Sequence, residues 1–215
     1  VSDNIEGCLL TLVEGFEQVK KLLPEPPVAI SFAFPGPADY KNGIIGDLPN
    51  FSAFRGGVAL GPYLQRHFDI PVYINNDGDL FAYGEALAGA LPEINAAIKA
   101  VGGTKQYKNL LGVTFGTGFG GGVVIDGKLL SGDNGCGGDV WCFRHKDAPQ
   151  CICEEAVGVR GIKRMYAEYS GLSSDDLTPK DICEIADGTR EGDQEAAKAT
   201  FAKLGEVAAN TMAQA

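Results

Sequence analysis

Two short segments carry groups that could do chemistry. Asn76-Asp77 closes the apolar run PVYIN (71–75), and Gly116-Thr117-Gly118-Phe119-Gly120-Gly121-Gly122 follows a second apolar run, LLGVTF (110–115). Both runs read as strands, and in α/β folds ligands meet reactive groups beyond strand ends. A carboxylate at such an end can accept a proton from a hydroxyl. Glycines after a strand let backbone N–H groups approach a phosphate with no Cβ in the way. A general base and a phosphate cradle are the minimum equipment for phosphoryl transfer to a hydroxyl.

Each feature also has a plainer reading. Asp77 precedes a helical pattern, so it could cap that helix. The glycine run lies between two strand-like segments. It therefore lacks the strand–loop–helix context of a dinucleotide fingerprint, and it has no Lys-Ser/Thr of a P-loop. A phosphate-gripping hairpin remains, with Thr114 and Thr117 as hydroxyl donors. Glu155 opens a helical stretch, where an acid suits the macrodipole. Cys142, His145, Cys151 and Cys153 supply zinc-type ligands, but at an unusual spacing, and reduced loop thiols are the alternative.

These residues need elements to hold them. An amphipathic helix over about 5–23 places Ile5, Leu9, Leu12, Phe16 and Val19 on one face, and Pro24, Pro26 and Pro27 stop it. VAISFAF (28–34) reads as a strand buried on both faces. A helix over about 57–67 and the strand 71–75 complete a crossover between parallel strands. Asn42-Gly43 and Asp126-Gly127 are hairpin signals. A helix is expected over about 78–90, while residues 91–109 read as irregular or partly helical. Strands over about 122–125 and 128–130 precede a long Gly/Cys/Asp loop, 131–153. Helices follow over about 154–169, 179–187 and 191 onward, the last with no stop signal before Ala215.

Composition bounds the rest. The chain has 215 residues, long enough to bury a core, and a net charge of −10. That charge opposes a nucleic-acid-binding surface in this segment, while leaving backbone-mediated nucleotide binding open. Six cysteines beside an ample apolar fraction point to reduced thiols and a cytoplasmic setting. No apolar run approaches membrane-spanning length.

FPGPADYKNGIIGDLPNF (34–51), PVYINNDGDLFAYGEALAGA (71–90), GVTFGTGFGGGVVIDGKLLSGDNGCGGDV (112–140) and CEEAVGVRGI (153–162) together resemble the ROK family of sugar kinases and sugar-responsive repressors. The resemblance implies an α/β, actin-like ATPase (ribonuclease H-like) fold of two domains around a cleft, with residues 1–76 in a small domain and 77–215 in a large one. It implies an ATP-dependent hexose kinase using Mg²⁺, with a sugar as its small-molecule partner, phosphorylated at the 6-hydroxyl, and a possible homodimer. Asp77 is then the base. Gly36, Asn50, Asn76, Asp139 and Glu155 would contact the sugar, and Gly116, Thr117 and Gly118 would face the ATP phosphates. A sugar-sensing repressor and a catalytically inactive sugar-binding protein remain the alternatives.

The chain departs from the family pattern at several places. Cys142 stands where the family has a zinc-ligating His, Gly158 where it has a third Cys of the run, and Asp139 where it has Glu. No metal is therefore expected at these residues. The family's N-terminal phosphate loop and C-terminal glycine motif are not in the sequence, so the segment is expected to belong to a longer protein and to lack turnover alone.

Overall fold

The computed structural model describes residues 4–48 and 51–214. Helix α1 (Ile5–Leu22) starts at Asn4, whose side chain accepts the Gly7 N–H at 3.2 Å, and carries Lys20 and Lys21 in its last turn. Its apolar face packs on β1 (Ile30–Ala33): the Phe16 and Phe32 rings lie 5.2 Å apart. β2 (Ala38–Asp39) and β3 (Ile44–Ile45) form a small antiparallel hairpin. α2 (Leu60–Phe68) leads to β4 (Val72–Asn75), which pairs with β1 in parallel, Ile30 opposite Val72 through Ala33 opposite Asn75. The expected strand–helix–strand crossover is thus present. The expectation of strands buried on both faces is corrected. Along β1, Ile30 is buried while Ser31 and Ala33 are exposed. Helices cover one face of this two-stranded ribbon, so its burial alternates.

α3 (Asp77–Ala88) begins directly after β4, and α4 (Ala90–Ala100) runs into the segment that read as irregular or partly helical. Pro92 sits in the first turn of α4, where a missing N–H costs no intrahelical bond. β5 (Leu110–Phe115), β6 (Phe119–Ile125) and β7 (Lys128–Leu129) form an antiparallel sheet against which α3 packs. Gly120, Gly121 and Gly122 belong to β6 rather than to a loop, opposite Thr114, Val113 and Gly112. Asp126 and Gly127, with φ of 49° and 75°, make the β6–β7 turn that their types signalled.

The helix expected over 154–169 is two helices, α5 (Glu154–Val157) and α6 (Val159–Ser170). The break has a cause. The Val159 N–H donates to the Gly116 carbonyl at 3.1 Å, so the β5–β6 turn docks into it. α7 (Pro179–Ala186) has a full capping box at Thr178 and Asp181. α8 (Gln194–Met212) reaches its C-cap at Ala213, short of the end expected from its pattern.

The core forms three clusters. One joins α1, β1, β3, α2 and β4; a second joins β6, α5 and α8; the third joins α6, α7 and α8. Among the described residues, no helix is long and apolar enough to cross a membrane.

Candidate sugar and nucleotide site

The cap of α3 decides what Asp77 is free to do. Asn76 Oδ1 accepts the N–H groups of Gly78 at 2.7 Å and Asp79 at 3.3 Å. The capping role is therefore filled by Asn76, one residue before Asp77. The Asp77 side chain is exposed and, among the described residues, accepts no hydrogen bond.

Around it, several elements converge on Tyr40. The Tyr40 hydroxyl donates to the Phe34 carbonyl at 3.0 Å and accepts from Asn76 Nδ2 at 3.4 Å. Burial pushes its pKa up to about 12; the hydrogen bond from Asn76 pulls it down, and the charges of Asp77, Asp79 and Asp139 raise it further. Gly36 lies against the same hydroxyl: a Cβ there would come within 2.9 Å of it. So Gly36 and Asn76 touch one side chain, and the charges of Asp77 and Asp139 act on it. Asn50 lies outside the described residues. Among the described residues Glu155 has no hydrogen bond to this group. It is exposed, and its carboxylate faces Cys151.

Beside these residues opens a cleft of about 770 Å³, lined by Tyr40, Lys41 and Asn42, by Asn75, and by the loop segment Ser131–Gly135. Its volume suits a small ligand. The long loop after β7 therefore forms one wall, as its length and composition suggested.

The β5–β6 turn is the second half of the site. It is three residues, Gly116, Thr117 and Gly118, closed by the Gly116 N–H donating to the Gly118 carbonyl at 3.0 Å. Among the described residues the N–H groups of Thr117 and Gly118 donate to nothing, and Thr117 is exposed. Two successive free N–H groups suit an anion. From inside, Glu154 supports the turn. Its Oε2 accepts the Phe119 N–H at 3.0 Å and fills the space that a Gly118 side chain would take. Glu154 and Tyr40 are the residues that sequence reading missed. Nothing in their types or spacing marks them, because their partners lie 35 and 36 residues away.

Glycines hold the two halves together. A Cβ on Gly122 would lie 2.8 Å from Ala82 Cβ and Asp79 Cα, and one on Gly78 would lie 3.0 Å from the Gly121 nitrogen. Backbone thus meets backbone where α3 crosses β6, and the first turn of α3 stays beside the start of β6.

The cysteines and His145 have other engagements. Cys142 Sγ donates to the Asp139 carbonyl at 3.0 Å, Thr211 Oγ1 donates to buried Cys153 Sγ at 2.7 Å, and His145 Nδ1 accepts the Asp147 and Ala148 N–H groups. Among the described residues no group of three or more His, Cys, Asp or Glu is arranged to hold a metal.

Asp79 is the unusual acid. It is only 4% exposed, and burial first, then the Asp139 charge, raises its pKa to about 6. An acid whose pKa rises on folding, here from 3.8, penalises the fold once ionised. The penalty is absent below about pH 4, grows as pH rises toward 6, and is complete above it, at no more than about 3 kcal/mol. Asp79→Asn should therefore raise the urea midpoint at pH 7.5 and change it little near pH 4. Equal effects at both pH values would refute the burial account.

The sequence model of the ROK family matches residues 3–215. The chain belongs to the ROK family. Its fold is the α/β actin-like ATPase fold of that family. A solved glucokinase structure from Parabacteroides distasonis is 62% identical, with a TM-score of 0.92, covering 99% of this chain and 60% of that one. A glucokinase from Streptomyces griseus solved with glucose and AMPPNP shares the fold at 20% identity and a TM-score of 0.68, covering 99% of this chain and 68% of that one. Among curated relatives, a glucokinase from Thermotoga maritima is 28% identical over 173 residues, covering 80% of this chain and 48% of the relative. A xylose repressor from Bacillus spizizenii is 30% identical over 154 residues, covering 70% of this chain and 35% of the relative. The chain thus spans about half or less of the length of these curated relatives.

Proposed function

We propose that the protein is an ATP-dependent hexose kinase whose sugar lies in the cleft beside Tyr40. The observation that carries this reading is the capping of α3 by Asn76, which leaves the Asp77 carboxylate unpartnered beside that cleft. Asp77 takes the proton from a sugar hydroxyl as its oxygen attacks the γ-phosphorus, and ADP leaves with the bonding pair. Gly36, Asn50, Asn76 and Asp139 bind the sugar. The free N–H groups of Thr117 and Gly118 donate to phosphate oxygens, in a turn whose shape Glu154 maintains. Mg²⁺ bound with the nucleotide would offset the charge of the phosphates. Residues 1–76 and 77–215 form the small and large domains, and the enzyme is cytoplasmic. Identity to a glucokinase over nearly the whole chain supports the choice of kinase.

The second reading, a sugar-sensing repressor, is favoured by the similarity to the xylose repressor. One assay separates them. The full-length protein is given ATP, Mg²⁺ and a panel of hexoses, and ADP release is followed. Turnover with at least one hexose is expected. Sugar binding without ADP release, together with sugar-dependent DNA binding, would replace the kinase with the repressor.

A further inference from the structure

Tyr40 touches four separate segments beside the cleft. Its hydroxyl donates to Phe34 at the end of β1 and accepts from Asn76 at the start of α3. The Gly36 turn fits against it only because residue 36 has no side chain, and its ring lies 3.4 Å from where a Gly135 Cβ would be, on the long loop. One phenol thus joins the end of β1, the glycine turn, the α3 cap and the loop wall. Among the described residues it has no hydrogen bond to the Gly116–Gly118 turn.

We propose that Tyr40 is a positioning residue for sugar binding: its hydroxyl sets the amide of Asn76 and the turn at Gly36 in the geometry that receives the sugar. The proposal rests on the kinase reading of the cleft, yet it makes its own demand. Removing the hydroxyl must loosen the sugar side and leave the nucleotide side unchanged. Asn76 matters here for a specific reason. Its Oδ1 is committed to two backbone N–H groups, so the Nδ2 end is what remains to be oriented, and Tyr40 is its partner. Gly36 gives an independent handle on the same contact. A Cβ there would stand 2.9 Å from the Tyr40 oxygen, but 3.6 Å from the Ala38 nitrogen and 3.7 Å from Tyr40 Cζ, both ordinary contacts. The clash is with the hydroxyl alone.

The test is a double-mutant cycle in the full-length protein, with D-glucose and then the best hexose of the panel as the probe. Tyr40→Phe should raise the sugar KM roughly tenfold, the order expected for two lost hydrogen bonds, while the ATP KM stays within about twofold. Gly36→Ala should raise the sugar KM comparably. In the Tyr40→Phe background the same change should add little, because the methyl enters the space left by the oxygen. Additive effects would overturn the proposal, as would an ATP KM that rises in parallel. A Tyr40→Phe protein that fails to fold would also overturn it, leaving a purely structural tyrosine. If the wild type binds hexose without phosphorylating it, the cycle is read by calorimetry: coupling between Tyr40 and Gly36 then upholds the proposal while the kinase reading falls. If no hexose binds, both fall.

Discussion

Asp77→Asn in the full-length protein should lower kcat by roughly 10²-fold or more, with sugar affinity kept within a few-fold. A hydroxyl that keeps its proton is a poor nucleophile, and a positioned carboxylate removes that proton as attack proceeds. Asparagine keeps the size and the hydrogen-bonding reach but cannot take the proton. From the sequence, this variant would have been ambiguous, since Asp77 could have been the helix cap. In the structure the capping role falls to Asn76, which supplies the capping oxygen for both Gly78 and Asp79. Asp77 contributes at most a first-turn charge to α3, worth about 0.3–1 kcal/mol at such a surface position. The thermal midpoint should therefore barely move while kcat collapses. A near-normal kcat would sink the catalytic assignment. A large fall in the midpoint with matching loss of activity would show that the carboxylate serves the fold.

The second large effect is expected at Gly122. An added methyl would lie 2.8 Å from Ala82 Cβ and Asp79 Cα and 3.0 Å from the Gly78 carbonyl oxygen. Real side chains do not approach backbone so closely, so Gly122→Ala must push α3 off β6. Overpacking of this kind costs about 1–3 kcal/mol, or several degrees in thermal midpoint for a chain of this size. The displacement also carries Asp77 away from the Gly116–Gly118 turn, and misplacement by about 1 Å can cost about 10²-fold in rate. Gly205→Ala is the control. It lies inside α8 with nothing within 4 Å of the new Cβ, and should be neutral or stabilising by about 0.5–1 kcal/mol. If Gly122→Ala is as benign as Gly205→Ala, then the close approach of α3 to β6 is not what places Asp77.

Local chemistry was legible in the sequence, and long-range chemistry was not. The β1–α2–β4 crossover and the Asp126-Gly127 turn follow from hydrophobic runs and turn residues a few positions apart. The candidate pair, Asp77 and the Gly116–Gly118 turn, was visible because each lies at the end of a strong apolar run. α4 was obscured by Pro92, which is harmless in a first turn. The break between α5 and α6 was invisible because its cause is the docking of Gly116, far away in sequence. Part of the glycine run was misjudged for the same reason. Gly120 and Gly121 resemble a flexible loop in sequence, yet with Gly122, already expected in a strand, they are strand residues whose small size admits a helix. The roles of Tyr40 and Glu154 depend on partners that only the folded chain brings near.

Where α3 crosses β6, the contact is made by Gly78, Gly112, Gly121, Gly122 and Ala82. A methyl gained at Gly78, Gly112 or Gly122 meets backbone atoms as well as, at the last two, the Ala82 methyl, so shrinking a neighbour cannot make full room for it. Substitutions there cannot accumulate in compensating pairs, as they do in ordinary cores. The loop after β7 shares this constraint at Gly137 and Gly138, where a Cβ would meet the backbone of Leu130 and of Gly122, but its cleft-lining residues Ser131, Asp133 and Asn134 are exposed. On the kinase reading, descendants of this chain would therefore change sugar preference first at the cleft-lining positions Ser131, Asp133 and Asn134, while the spacing between Asp77 and the Gly116–Gly118 turn stays fixed.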